Sequence, residues 1–221
     1  MRSLIVLIFL FGFLFTPAFA QEVKNPSIII DTIEIPFDDF NKISRDAIIV
    51  ELENDHVISW QITIDNNLEY ENPDGNGVLK FYDKNSEKFV EIGMGAPPAA
   101  KFWVAANTER EGYVVVHSDL QRGWNPFTKT IVSYTERGGL TVNNGARITV
   151  SNLNVGSFEI DSYSVHGMES SNDPPAVNSG SMVVEFLSGD PAQNVMALFP
   201  FYLAAGIGII IGILYMTKKR S

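Results

Sequence analysis

The chain has 221 residues, no cysteine, and 26 acidic against 16 basic residues, a formal net charge of −10 at pH 7. All 26 acidic residues but only 12 of the 16 basic ones fall between two apolar ends, so residues 21–194 carry a formal charge of −14. That excess repels phosphate backbones and excludes nucleic acid as a partner. The lack of thiols excludes disulfides, redox cysteine chemistry and cysteine-ligated haem or iron–sulfur centres.

Residues 1–20 read as a secretory signal peptide. Arg2 supplies the positive start, Leu4 to Phe15 the apolar stretch, and Ala18-Phe19-Ala20 the small-x-small pattern before Gln21. The single Asn-x-Ser match, Asn25-Pro26-Ser27, is blocked as a glycosylation acceptor by its proline. With the missing cysteines, this points to a prokaryotic surface protein.

Residues 21–188 read as an all-β extracytoplasmic domain. In "VISWQITI", Ile58, Trp60, Ile62 and Ile64 alternate with Ser59, Gln61 and Thr63, the two-residue period of a half-buried antiparallel strand. "DAIIVELE", "GVLKFYD", "KFVEIG", "KFWVAA", "GYVVVHS", "TIVSY", "ARITVSN", "SFEID" and "SMVVEFL" add β-prone runs. About eight to ten strands joined locally predict an antiparallel β-sandwich, Ig-like or jelly-roll-like, with barrel closure as the rival. Trp60 and Trp103 are assigned to the core.

Two turns stand out. Asn144-Gly145 is expected as a two-residue hairpin turn with positive φ at both positions. Pro73-Asp74-Gly75 is expected as a type I turn with the glycine left-handed. Farther on, Phe158 and Ile160 are apolar in one phase and Tyr163 and Val165 in the other. A bulge near Ser162 or a change of sheet is required, and the face of His166 stays open. Glu169 to Gly180 reads as a polar loop stiffened by Pro174 and Pro175.

No G-x-S-x-G elbow, H-E-x-x-H helix, P-loop or dinucleotide fingerprint is present, so the chain reads as non-enzymatic. Calcium is the first cofactor to weigh. Asp65, Asn67, Glu69, Glu71, Asp74 and Asn76 offer oxygen ligands in a turn-rich stretch, although Tyr70 stands where an EF-hand needs glycine. Copper is a second option at His166 and Met168, with Met94 placed on a loop-like segment; a blue-copper centre would need a thiolate. His56 and His117 read as ordinary strand residues. Asp38-Asp39 and Glu109-Glu111 read as solubilising clusters. Trp124 and Phe127, among glycine, asparagine and proline, suggest an aromatic contact for a sugar or a protein.

After a short juxtamembrane linker, 189–194, residues 195–216 form 22 uncharged residues, enough to cross the membrane as a helix. The basic tail 217–221 assigns that end to the cytoplasm and the domain to the outside of the cell membrane. Ala204, Gly208 and Gly212 fall on one helical face and suit packing against another subunit or a second copy. The expectation is a single-pass, membrane-anchored accessory or structural subunit of a surface complex. The alternative is an independent surface module binding calcium, copper or carbohydrate, and after it a hydrolase.

Overall fold

The computed structural model describes residues 29–56 and 59–188. The signal segment 1–20, the linker 189–194, the span 195–216 with Ala204, Gly208 and Gly212, and the tail 217–221 lie outside the described residues. Among the described residues no helix is long and apolar enough to cross a membrane.

The described chain is all-β. One six-stranded sheet has the order β1 (Ile29–Pro36), β14 (Ser181–Ser188), β3 (Ser59–Asn66), β9 (Thr130–Thr135), β10 (Gly139–Asn143) and β11 (Ile148–Leu153). The second has the order β2 (Val50–His56), β12 (Ile160–His166), β5 (Asn76–Asp83), β6 (Phe89–Gly95), β7 (Phe102–Thr108) and β8 (Gly112–Asp119). The short strands β4 (Glu69–Tyr70) and β13 (Val177–Ser179) pair only with each other. Neighbouring strands run antiparallel throughout, and no ladder joins the two large sheets, so barrel closure is not formed among the described residues.

Alternation explains the packing. In β3, Trp60, Ile62 and Ile64 are buried, and Val132 and Tyr134 of β9 and Met182, Val184 and Phe186 of β14 share their side. In the second sheet Leu79, Phe81, Val90, Ile92, Phe102 and Val104 do the same. Both sets belong to one hydrophobic cluster, and Phe81 meets Phe186 edge-on at 5.9 Å between sheets. Each such side chain contributes about 1.5–3 kcal/mol by leaving water. Trp60 stacks on Tyr134 at 5.5 Å and donates its indole N–H to the Phe158 carbonyl at 3.0 Å.

Several expectations need correction. Fourteen strands form among the described residues where eight to ten were expected: β1 and β10 add to the ten runs quoted above, and β4 and β13, of two and three residues, are too short to show a period. The loop 169–180 is not wholly polar: Ala176 and Val177 are buried, and Asn41 clamps Val177 through two hydrogen bonds of 2.9 and 3.0 Å. The hairpin at Asn144-Gly145 exists, but only Gly145 has positive φ. Asn144 instead accepts from the N–H groups of Ala146 and Arg147 and donates to Gly123. Its side chain closes a longer turn than the two-residue form.

The 72–75 turn forms with a Gly75 N–H to Asn72 carbonyl bond of 2.8 Å. Gly75 is required by crowding, not by a left-handed φ, since an added Cβ would lie 2.8 Å from the Ala176 carbonyl. The phase change in β12 is a bulge: the register shifts between Ile160 and Ser162 against both neighbours. Met94 is not on a loop; it is buried inside β6.

Register also fixes the two ends of the domain. Ser188 lies opposite Trp60, which lies opposite Tyr134, whereas Met182 and Asn66 lie toward Thr130. The chain therefore leaves β14 at one end, and the loops 120–129 and 144–147 occupy the other.

Candidate functional site

The outward face of the second sheet carries the densest unusual chemistry. Alternation that turns Phe102, Val104 and Ala106 into the core turns Trp103, Ala105 and Asn107 out. Register places Trp103 beside Gly93, Ala105 beside Glu91 and Asn107 beside Phe89. The row continues to Val78, Lys80 and Tyr82 on β5 and to Ser164 and His166 on β12. Tyr113 and Val115 of β8 complete it on the other flank.

Glu91 is the centre of this face. It is only 6% exposed, although it stands on the side away from the core. One carboxylate oxygen accepts from the Trp103 indole at 2.8 Å and from the Tyr113 hydroxyl at 2.9 Å. The other lies 3.6 Å from the Lys80 ammonium, which donates to Ser44 at 2.9 Å and stands 5.3 Å from the centre of the Phe89 ring. A buried carboxylate is tolerated only when its lone pairs are met in this way. Tyr113 is 52% exposed as a residue, but its hydroxyl turns in toward Glu91. Burial of that hydroxyl, then the Glu91 charge, pushes the phenol up to about 12.

Aromatic rings surround the ion pair. Phe89 lies 5.8 Å from Tyr82 and 6.1 Å from Tyr113, and Tyr82 shares a 2.9 Å hydrogen bond with Ser164. Trp103 covers Gly93 so closely that a Cβ there would come within 2.0 Å of the indole. At the β12 flank, His166 holds a buried Nδ1 with no hydrogen-bond partner. Burial first, and the Lys80 charge second, push its imidazole down to about 4, so it is neutral at physiological pH.

The residues singled out from sequence are placed differently. Asp65 lies near Lys129 at 3.8 Å, Glu69 accepts from Ser179 at 2.6 Å, Asp74 faces Lys101 at 3.9 Å, and Asn76 is buried. Asn67 and Glu71 are exposed. Asp65, Glu69 and Asp74 thus have separate local contacts, and among the described residues no group of three or more His, Cys, Asp or Glu is placed to hold a metal ion. For copper, Met168 packs against the core and bridges to Ile43, while Met94 is enclosed near Asn66. His117 pairs with Asp119 at 3.0 Å, and Arg147 reaches the same carboxylate at 2.7 Å; the two hydrogen bonds lower the Asp119 carboxyl.

Trp124 is 6% exposed, packs on Tyr70 at 6.5 Å and donates to the Gly95 carbonyl at 2.9 Å. Phe127 is 92% exposed. The two therefore do not form one open platform: Trp124 closes the end of the sandwich and only Phe127 projects. Trp103, expected in the core, is the tryptophan on the outward face. Glu91, alone among apolar neighbours in "KFVEIG", was the available signal, and the outward phase of "KFWVAA" would have completed it.

No family model matches the chain, and no curated protein matches it. Similar solved structures include a fructofuranosidase from Schwanniomyces occidentalis complexed with fructose, 10% identical, covering 76% of this chain and 35% of that one at a TM-score of 0.46. The present chain thus spans about a third of that enzyme's length. Others are the galectin LEC-6 of Caenorhabditis elegans, 10% identical over 70% of this chain and 94% of that one at 0.34, and the carbohydrate-binding module CBM66 from Bacillus subtilis, 9% identical over 68% and 91% at 0.38. Likeness at this level bears on no ligand.

Proposed function

We propose that this chain is a membrane-tethered, extracytoplasmic binding module of jelly-roll-like build whose outward sheet face takes a neutral carbohydrate. The observation that carries this is the single Glu91 oxygen shared by Trp103 and Tyr113. A buried carboxylate on a solvent-side face costs stability, and here it orients two aromatic rings instead of filling the core. Sugars present C–H faces that pack on such rings and hydroxyl edges that need polar neighbours. Lys80, Tyr82 and Asn107, each partly exposed, line the same face.

Charge favours a neutral ligand. Lys80 and Glu91 offset each other locally, and the −14 charge of residues 21–194 opposes anions. Anchoring belongs to the same reading: the span 195–216 tethers the domain, and Ala204, Gly208 and Gly212 pack the helix against another subunit or a second copy.

The test uses full-length protein in mild detergent, screened against neutral and acidic oligosaccharides by array binding and tryptophan fluorescence. Trp103→Ala should lower affinity for the bound class by at least about tenfold, or ~1.4 kcal/mol. The reading fails if no oligosaccharide binds, or if Trp103→Ala and wild type bind alike.

A further inference from the structure

Among the described residues each large sheet ends in two edge strands with no outer strand partner, and three of the four carry protection. β1 includes Asp31, Glu34 and Pro36. β2 includes Glu51, Glu53 and Asp55 in sequence. β11 is broken by two register shifts against β10 and by Asn152 at φ 55°. Charges, prolines and bulges are the usual means of blocking edge-to-edge pairing.

β8 is different. From Gly112 to Ser118 it contains no acidic residue, lysine, arginine or proline. Tyr113, Val114 and Val115 are exposed in succession. The register shift against β7 comes only after Val115, leaving Gly112–Val115 as a regular edge. Beneath it, between β8 and β11, a recess of about 460 Å³ is lined by Val114, Val116, Leu153 and Val155, with Lys88 and Arg110 offset by Glu109 and Glu111. The acidic group at the strand's end, Asp119, is already held by Arg147 and His117.

We propose that β8 is a self-association edge, pairing antiparallel with β8 of a second copy. Charge selects this occupant. In a domain of strongly acidic composition, joining two copies brings like charges together at most surfaces, and β1 and β2 would do so strand against strand. The β8 edge brings together none between Gly112 and Ser118. Val114 and Val116 of each copy then close the recess of the other, removing apolar surface from water.

A two-fold axis normal to the sheet has two consequences. It makes one continuous sheet of twelve strands and sets both Trp103–Tyr113 faces on the same side, so paired sites can bind a multivalent ligand with avidity. It also directs the two Ser188 ends in opposite directions.

Sedimentation in detergent tests the proposal on full-length protein carrying Gly208→Ile and Gly212→Ile, which removes association through the span. The expected particle has twice the chain mass, and Val114→Lys should halve it. Ile49→Lys, on the β2 side, should leave it unchanged. Thermal melting of Val114→Lys checks that the fold survives. Amide exchange at Gly112–Val115 in the parent protein, slow when concentrated and fast on dilution, provides a readout without a β8 substitution. A monomer at all concentrations, a dimer insensitive to Val114→Lys, or concentration-independent exchange overturns the proposal. None of these outcomes depends on a sugar being bound.

Discussion

Gly93 and Trp103 sit side by side on β6 and β7, and the indole occupies the space where any other residue at 93 would place its Cβ. The glycine is thus a receptor for the ring, and the Glu91 hydrogen bond holds the ring in it. Gly93→Ala should expel the indole from this position. We expect sugar affinity to fall about tenfold and stability by about 1–3 kcal/mol, measured by fluorescence titration and urea unfolding. Retention of wild-type affinity in a folded Gly93→Ala variant would separate ring position from binding.

Glu91→Gln keeps the shape of the side chain but leaves Lys80 without its carboxylate. A loss of about 1–3 kcal/mol is expected in chemical denaturation. Tyr113 supplies the more selective readout. Glu91 raises its phenol by charge and hydrogen bond in addition to burial, so the variant's Tyr113 should ionise below about 12. Ultraviolet titration with Tyr113→Phe as the reference measures that change; an unchanged midpoint would count against the Glu91 contact.

His166 gives the domain a pH-dependent weakness. Its imidazole has an ordinary value of 6.5 and is held down to about 4 in the fold. The unfolded chain therefore takes up this proton first. The contribution is fully present above pH 6.5, is lost as pH falls from 6.5 toward 4, and changes no further below that. Lys80 opposes protonation and Glu91 favours it, in line with the direction of each charge. His166→Leu removes the unpartnered nitrogen and should flatten stability across this window by about 1–3 kcal/mol. Equal slopes for wild type and variant would assign the acid sensitivity elsewhere.

Asn41 and Val177 are 136 residues apart and exchange two hydrogen bonds. The pair ties the stretch before β2 to β13, whose one strand partner among the described residues is the short β4. Asn41→Ala leaves both backbone groups of buried Val177 unmet, at an expected cost of about 2–3 kcal/mol in urea unfolding. Asn41→Asp retains the acceptor for the Val177 N–H and should fall between the two.

Phe127 and Trp124 separate surface from interior. Phe127→Ser should change melting and sugar affinity little, because the ring is almost wholly in solvent. Trp124→Phe removes the donor to Gly95 and should cost about 1 kcal/mol of stability without altering affinity. A large affinity loss in Phe127→Ser would move the binding face to the far loops.

The sequence alone determined the β class and much of the core, because alternation along a strand is local. Ile62, Ile64, Phe102 and Val104 point inward as their spacing requires. It also carried the change of apolar phase between Ile160 and Tyr163, which called for a bulge or a change of sheet; the registers of β12 decide for the bulge. Tertiary structure decided which tryptophan faces water. Trp103 and Trp124 exchange the places their local context suggested, because one rests over Gly93 and the other seals a sheet end. It alone assembled Lys80, Glu91, Trp103 and Tyr113, which are spread over residues 80–113 and meet only through the registers of β5 to β8. The oxygen-rich 65–76 stretch shows the converse. Its residues are distributed among β3, β4, β5 and their turns, where Asp65, Glu69 and Asp74 meet separate partners, because strand direction and register override proximity along the chain.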